Sequence, residues 1–176
     1  PNIGMRGTGT GRNDKISVME DGVLVAPAPY SAPSAYYFPT MGRMESIEVL
    51  KGAASVKYGP RTTGGVLNLL SRSLPTEANS SMGMVDAALG SDGYYKGHAY
   101  FAKEKNNTAG LIEVFSYGAD GFKELPVGDD NTGFEKNDVL VKFGHTFGEN
   151  DAHNIEFKAK YSEETSDETY MGLTNA

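Results

Sequence analysis

Apolar side chains return at every second position through much of residues 77–176, and this period of two constrains the fold more than any other feature of the chain. Ile155, Phe157, Ala159 and Tyr161 alternate with Glu156, Lys158, Lys160 and Ser162. Val139, Val141 and Phe143 alternate with Leu140, Lys142 and Gly144. Successive side chains of a strand point to opposite faces, so one face is apolar and the other mostly polar. Tyr94–Lys103 and Ala109–Tyr117 are also strand-length and aromatic, and Met82–Leu89 reads as a further strand of small residues. Each of these five segments is near the roughly 9–11 residues that cross a bilayer at a tilt. Asn106-Asn107 and Gly148-Glu149-Asn150-Asp151 read as short turns, and Ala119–Lys136 as a long Gly/Asp-rich loop. Outer-membrane barrels set short turns on one side and longer loops on the other. Gly90-Ser91-Asp92-Gly93 is short where that scheme expects a long loop. Period alone leaves two readings open: strands of a membrane wall, or a soluble antiparallel sandwich with one wet face.

Residues 1–76 are of another kind. They carry eight basic and five acidic side chains, whereas residues 77–176 carry eight and eighteen. The net charge of −7 argues against a nucleic-acid partner, which needs a basic surface. There is no cysteine, so any metal ligand would be oxygen or imidazole. Ile16-Ser17-Val18-Met19 and Val23-Leu24-Val25 face each other across Glu20-Asp21-Gly22, a strong hairpin signal because Gly tolerates the positive φ of the turn. Pro27, Pro29, Pro33 and Pro39 make Ala26–Thr40 an ordered-loop candidate. Ile47–Lys51 and Val66–Leu70 read as strands and Ala53–Tyr58 as a helical turn, giving a small α+β fold with a boundary near Leu74-Pro75.

The run from Arg43-Met44-Glu45-Ser46-Ile47-Glu48-Val49-Leu50-Lys51-Gly52 through Tyr58-Gly59-Pro60 to Gly64-Gly65-Val66-Leu67-Asn68 resembles the end of the plug domain of TonB-dependent outer-membrane receptors. Upstream, Ile3-Gly4-Met5-Arg6-Gly7 is similar to the family's Ile-x-x-Arg-Gly element, and Asp21-Gly22-Val23 to its Asp-Gly hairpin. Within the family the nearest likeness is to the ferric dicitrate or ferric siderophore type, through Ala28-Pro29-Tyr30 and Lys57-Tyr58-Gly59-Pro60. The resemblance implies the C-terminal portion of an α+β plug, residues 1–76, followed by the first antiparallel strands, about five, of a large transmembrane β-barrel, residues 77–176. It further implies an internal piece of a plugged barrel of about 22 strands, without signal peptide, TonB-engaging N-terminal segment or closing C-terminal strand.

For function, the resemblance implies TonB-dependent transport of a ferric chelate across the outer membrane of a Gram-negative bacterium. Its partners would be TonB and outer-membrane lipid. No enzyme activity and no resident cofactor or metal are expected, since iron arrives already chelated. Cobalamin, a glycan or another metal chelate are the alternative cargoes. Tyr30, Ser31, Ser34, Tyr36 and Tyr37, in the Pro-fixed stretch, are the ligand-facing candidates at the plug apex, their hydroxyls able to donate to carboxylate or hydroxamate oxygens. Arg12 and Arg61 could add positive potential for an anionic chelate. Arg6, Glu48 and Lys51 sit on elements resembling those that make plug-to-barrel ion pairs, with Lys142, Glu156, Lys158 and Lys160 as possible partners on the wall. Gly52, Tyr58, Gly59, Gly64, Gly65 and Asn68 carry the plug motif, their glycines permitting sharp turns. His98, His145 and His153 are scattered, and Asp129-Asp130-Asn131 lacks the later bidentate acid of a calcium loop. A soluble β-rich binding module explains the alternation but not the ordered plug elements. An enzyme cradling phosphate on Gly59–Gly65 lacks the Lys-Ser/Thr ending of a P-loop.

Overall fold

The Asp21-Gly22 turn forms as its dipeptide predicts. In the computed structural model, which describes residues 4–5, 7, 15–25, 38–60, 62–122 and 132–167, it joins β1 (Ile16–Glu20) to β2 (Val23–Leu24). Both turn residues have positive φ, 50° at Asp21 and 79° at Gly22, the mirror-image turn whose twist matches two antiparallel strands. Met19 lies opposite Leu24 and Glu20 opposite Val23. With β3 (Met44–Leu50) and β4 (Gly65–Ser71) the hairpin forms a four-stranded sheet of order β2-β1-β4-β3. β1 and β4 are parallel, and β3 is antiparallel to β4.

Parallel strands covered on both faces are spelled as near-continuous apolar runs, as ISVME and GVLNLLS are here. Ile16, Val18, Met19, Val66 and Leu69 are the buried apolar side chains of this pair. Between β3 and β4 the expected helical turn is a 3-10 helix over Gly52–Tyr58. It stops at Gly59, whose φ of 102° favours glycine. Ser55 Oγ, buried, lies 2.7 Å from Gly52 O and 2.9 Å from Thr62 O, and Thr62 Oγ1 donates to Gly59 O. The loop is thus closed on itself before the chain enters β4.

The chain divides into two compact units, Pro1–Ser73 and Leu74–Ala176. The second is an antiparallel meander of β5 (Ser81–Leu89), β6 (Tyr95–Lys105), β7 (Thr108–Ala119), β8 (Phe134–Phe147) and β9 (His153–Ser166), in sequential order. All five expected strands form. The loop expected over Ala119–Lys136 is shorter than its composition suggests, because Phe134 pairs with Ala119 and Glu135 with Gly118, so β8 takes up the loop's last residues.

Asn106 and Asn107 take φ of 54° and 62° and make a two-residue turn between β6 and β7. At the same end, Asn107 Nδ2 donates to Asp151 Oδ1 at 2.7 Å and Thr146 N–H donates to Asn107 O at 2.9 Å, tying the two short turns together. The buried Glu104 carboxylate accepts the N–H groups of Asn79 and Asn107. At the other end Gly90–Tyr94 is a tight turn and the β7–β8 connection is long.

Candidate functional site

In the first unit the polar groups of the motif are structural ties within the sheet. Asn68 accepts the Gly22 N–H on its Oδ1 and donates from its Nδ2 to Glu48 Oε2, both at 2.9 Å. One buried amide thus joins the β1–β2 turn, β4 and β3. Asp21 takes the other end of β4, accepting the Ser71 N–H and hydroxyl, while its own N–H donates to Leu69 O. Gly64 donates to Lys15 O and so begins the parallel ladder. Gly65 is required by its φ of 140° and by space, since a Cβ there would stand 2.8 Å from Leu50 O and 3.1 Å from Met5 Cε.

Beneath these ties lies an ion pair that the sequence reading missed. Arg43 Nη2 sits 3.0 and 2.9 Å from the two carboxylate oxygens of Glu20, with side-chain exposures of 1% and 4%. Desolvating both charges is costly, and their attraction plus hydrogen bonding offsets most of that cost without adding much net stability. The signal available was an acid closing the apolar strand β1 and an arginine just before β3, which is also what ordinary strand termini look like.

The second unit sorts its side chains by face. One face carries Val85, Phe101, Ile112, Val114, Val139, Val141, Phe143, Ile155, Phe157 and Tyr161, all exposed. The other carries buried Glu113, Lys136, Asp138 and Lys142 beside Leu111 and Leu140. There His98 Nε2 lies 2.7 Å from Glu113 Oε1, Lys96 pairs with Asp86, Lys136 with Glu164 at 2.8 Å and Lys142 with Glu156 at 3.5 Å. A soluble sheet hides its apolar face and wets its polar one. This sheet does the reverse.

The apolar band also runs obliquely. Following the ladder across the sheet, Gly83 of β5 lies level with Phe101, Ile112, Val141 and Ala159, and Leu89 with Tyr95, Gly118, Glu135 and Thr165. The apolar run of β5 ends at Leu89 but that of β9 is Ile155–Tyr161, displaced by four residues over four strand steps. At ~3.4 Å per residue and ~4.8 Å per strand step, a horizontal band then requires strands tilted by about 35°, as in barrels that cross a membrane. No helix of the described residues is long and apolar enough to cross one.

Residues 1–66 match the TonB-dependent receptor plug domain. The chain is also 32% identical over 148 residues to a vitamin B12 transporter of Photobacterium profundum, an alignment covering 82% of this chain and 23% of that protein. The chain belongs to the TonB-dependent outer-membrane receptors. In fold it is similar to a copper transporter, with TM-score 0.64 and 18% identity over 93% of this chain and 26% of the other. A siderophore receptor of Acinetobacter baumannii matches with TM-score 0.61 and 16% identity, over 92% of this chain and 25% of the other. The chain therefore spans about a quarter of the length of the receptors it matches.

Membership accounts for both units: a mixed plug sheet, then antiparallel strands of a barrel wall in the outer membrane of a Gram-negative bacterium. The family is one of transport receptors, not of enzymes. Of the receptor residues singled out from sequence, Gly52, Tyr58, Gly59, Gly64, Gly65 and Asn68 are gathered around the β3–β4 loop and the central ladder. Lys57 Nζ lies 5.4 Å from the ring centroid of Tyr58. Glu48 and Lys51 are exposed at the β3 edge, Glu48 engaged by Asn68. Lys142 and Glu156 of the wall pair with each other. Tyr30, Ser31, Ser34, Tyr36, Tyr37, Arg6, Arg12, Arg61 and Asp129–Asn131 lie outside the described residues. Among the described residues no three His, Asp or Glu side chains gather as metal ligands.

Proposed function

We propose that this chain is the plug and the first wall strands of a receptor that imports a bulky metal chelate, with a corrinoid of the cobalamin class as its cargo. The observation that carries the cargo is the 32% identity to a vitamin B12 transporter, which extends over 82% of the chain and so includes wall as well as plug. The copper and siderophore receptors are similar in shape at 18% and 16% identity, and that likeness speaks for fold alone. A ferric chelate is the second reading, favoured by the Pro-fixed Tyr30, Ser31, Ser34, Tyr36 and Tyr37, whose hydroxyls suit carboxylate or hydroxamate oxygens.

Transport in this reading needs no bond chemistry. Cargo held at the plug apex passes when TonB draws the plug out of its resting seat. Arg6, Glu48 and Lys51 would hold that seat through ion pairs with the wall, pairs that resist one-sided breakage yet add little net stability. The test is uptake of radiolabelled cobalamin and of radiolabelled ferric chelates by cells carrying the full-length gene, with and without functional TonB. Cobalamin uptake that vanishes without TonB is the expected result. Iron uptake alone would move the cargo to the second reading, and uptake of either that persists without TonB would remove the mechanism.

A further inference from the structure

The outward face of the wall is not evenly filled. Between β5, β6 and β7 it has a recess of about 420 Å3 lined by apolar groups of Gly83, Val85, Ala99, Phe101, Ile112 and Val114. The hollow continues on the same face past Ala99 toward Ser116 and Asn137, as a second recess of about 390 Å3. Its two ends differ in charge. At the short-turn end, Lys103 and Lys105 follow Phe101 on the same face of β6, both exposed, and neither pairs with a carboxylate among the described residues. Exposed His145 lies on β8, two strands across from β6 and level with Thr108 and Lys105. At the long-loop end the same face carries Glu135 and Glu163.

A groove of this kind, apolar along its length, cationic at one mouth and anionic at the other, fits one amphiphile in one orientation. We propose that it is a docking site for an anionic glycerophospholipid, one acyl chain lying in the recess and the phosphate held by Lys103 and Lys105. Lys103 is two residues beyond Phe101, about 7 Å along the strand, so the ammonium groups stand where the hydrocarbon ends and headgroups begin. Short turns face the periplasm in such barrels, which puts the headgroup in the leaflet on that side. The acidic opposite mouth disfavours the reversed pose. The lysines contribute through attraction to phosphate and through alkyl stems that extend the apolar wall.

The full-length receptor, purified and placed in nanodiscs of equal phosphatidylglycerol and phosphatidylethanolamine, is then examined by native mass spectrometry. The wild type should retain phosphatidylglycerol preferentially. Lys103→Gln with Lys105→Gln should reduce that preference on the order of 10-fold, and Ala99→Leu, which fills the recess, should lower retention of both lipids. Heat-modifiable migration on gels verifies that each variant is folded. Equal retention of the two lipids by the wild type, or an unchanged preference in the double lysine variant, overturns the proposal. So does full displacement by inorganic phosphate at a concentration that leaves the nanodisc intact, because the lysines would then bind free anion without need of the chain.

Discussion

The two units apply the same sheet chemistry to opposite surroundings. In the plug, β1 and β4 are covered on both faces, so the polar groups there must be satisfied by the protein itself: Arg43 by Glu20, the Gly22 N–H by Asn68, the Ser71 N–H and hydroxyl by Asp21. In the wall, each strand gives one face to lipid and keeps its charges on the other, where Glu113 meets His98 and Lys142 meets Glu156. A polar side chain in the plug therefore answers to its partner. In the wall it answers first to its parity along the strand.

The strongest test of that contrast is at Arg43. Replacing it with Leu leaves the Glu20 carboxylate buried without its guanidinium, and breaking a buried pair from one side costs about 3–5 kcal/mol. Hydrogen exchange of the β1 and β4 amides in the full-length receptor should show protection falling by that amount, while the wall strands keep theirs. The double change Glu20→Leu with Arg43→Leu should recover most of the loss, since well-packed apolar side chains can replace a buried pair at little net cost. Equal loss in single and double variants would mean that the pair's hydrogen bonds to its surroundings matter more than its charge balance.

Parity in the wall predicts a somewhat smaller effect with a sharp positional signature. Val114 lies in the middle of the apolar band, and Arg placed there should cost about 2–4 kcal/mol of barrel stability, measured by urea unfolding of the full-length receptor in vesicles. The same substitution at Ser116, two residues along the same face and nearer the band's edge, should cost about 0–1 kcal/mol. Similar losses at both positions would break the reading of an oblique band tilted by about 35°.

How much of this was legible from the sequence follows from the same contrast. The wall was readable because lipid imposes a rule on every second residue, and Ile155 to Ser162 spell that rule without reference to any partner. Its strand ends were less readable: Phe134 and Glu135 sit in a Gly/Asp-rich stretch and become strand only because Ala119 and Gly118 stand opposite. In the plug, the Asp21-Gly22 turn and the motif glycines are local and could be read directly. The Glu20–Arg43 pair is not local, since its partners are twenty-three residues apart. It forms because the parallel placing of β1 beside β4 fixes where β3 begins. Alternation carries no information about such a pairing.

The smallest predicted effect compares two side-chain hydrogen bonds of similar length in the two units. Asn68 is buried, and its amide serves the Gly22 N–H and Glu48. Ser116 donates to Asn137 Oδ1 at 2.6 Å near the edge of the outward face. Changing Asn68 to Ala leaves the Gly22 N–H without its acceptor and should cost about 1–3 kcal/mol, seen as faster exchange at Gly22. Changing Ser116 to Ala should cost less than about 1 kcal/mol, because interfacial water can take over from the lost hydroxyl and the methyl gains contact with lipid. The order of the two losses matters more than either value. Were Ser116→Ala the costlier, that edge of the wall would be drier than its charged neighbours Glu135 and Glu163 imply, and the membrane boundary would have to move toward the long-loop rim.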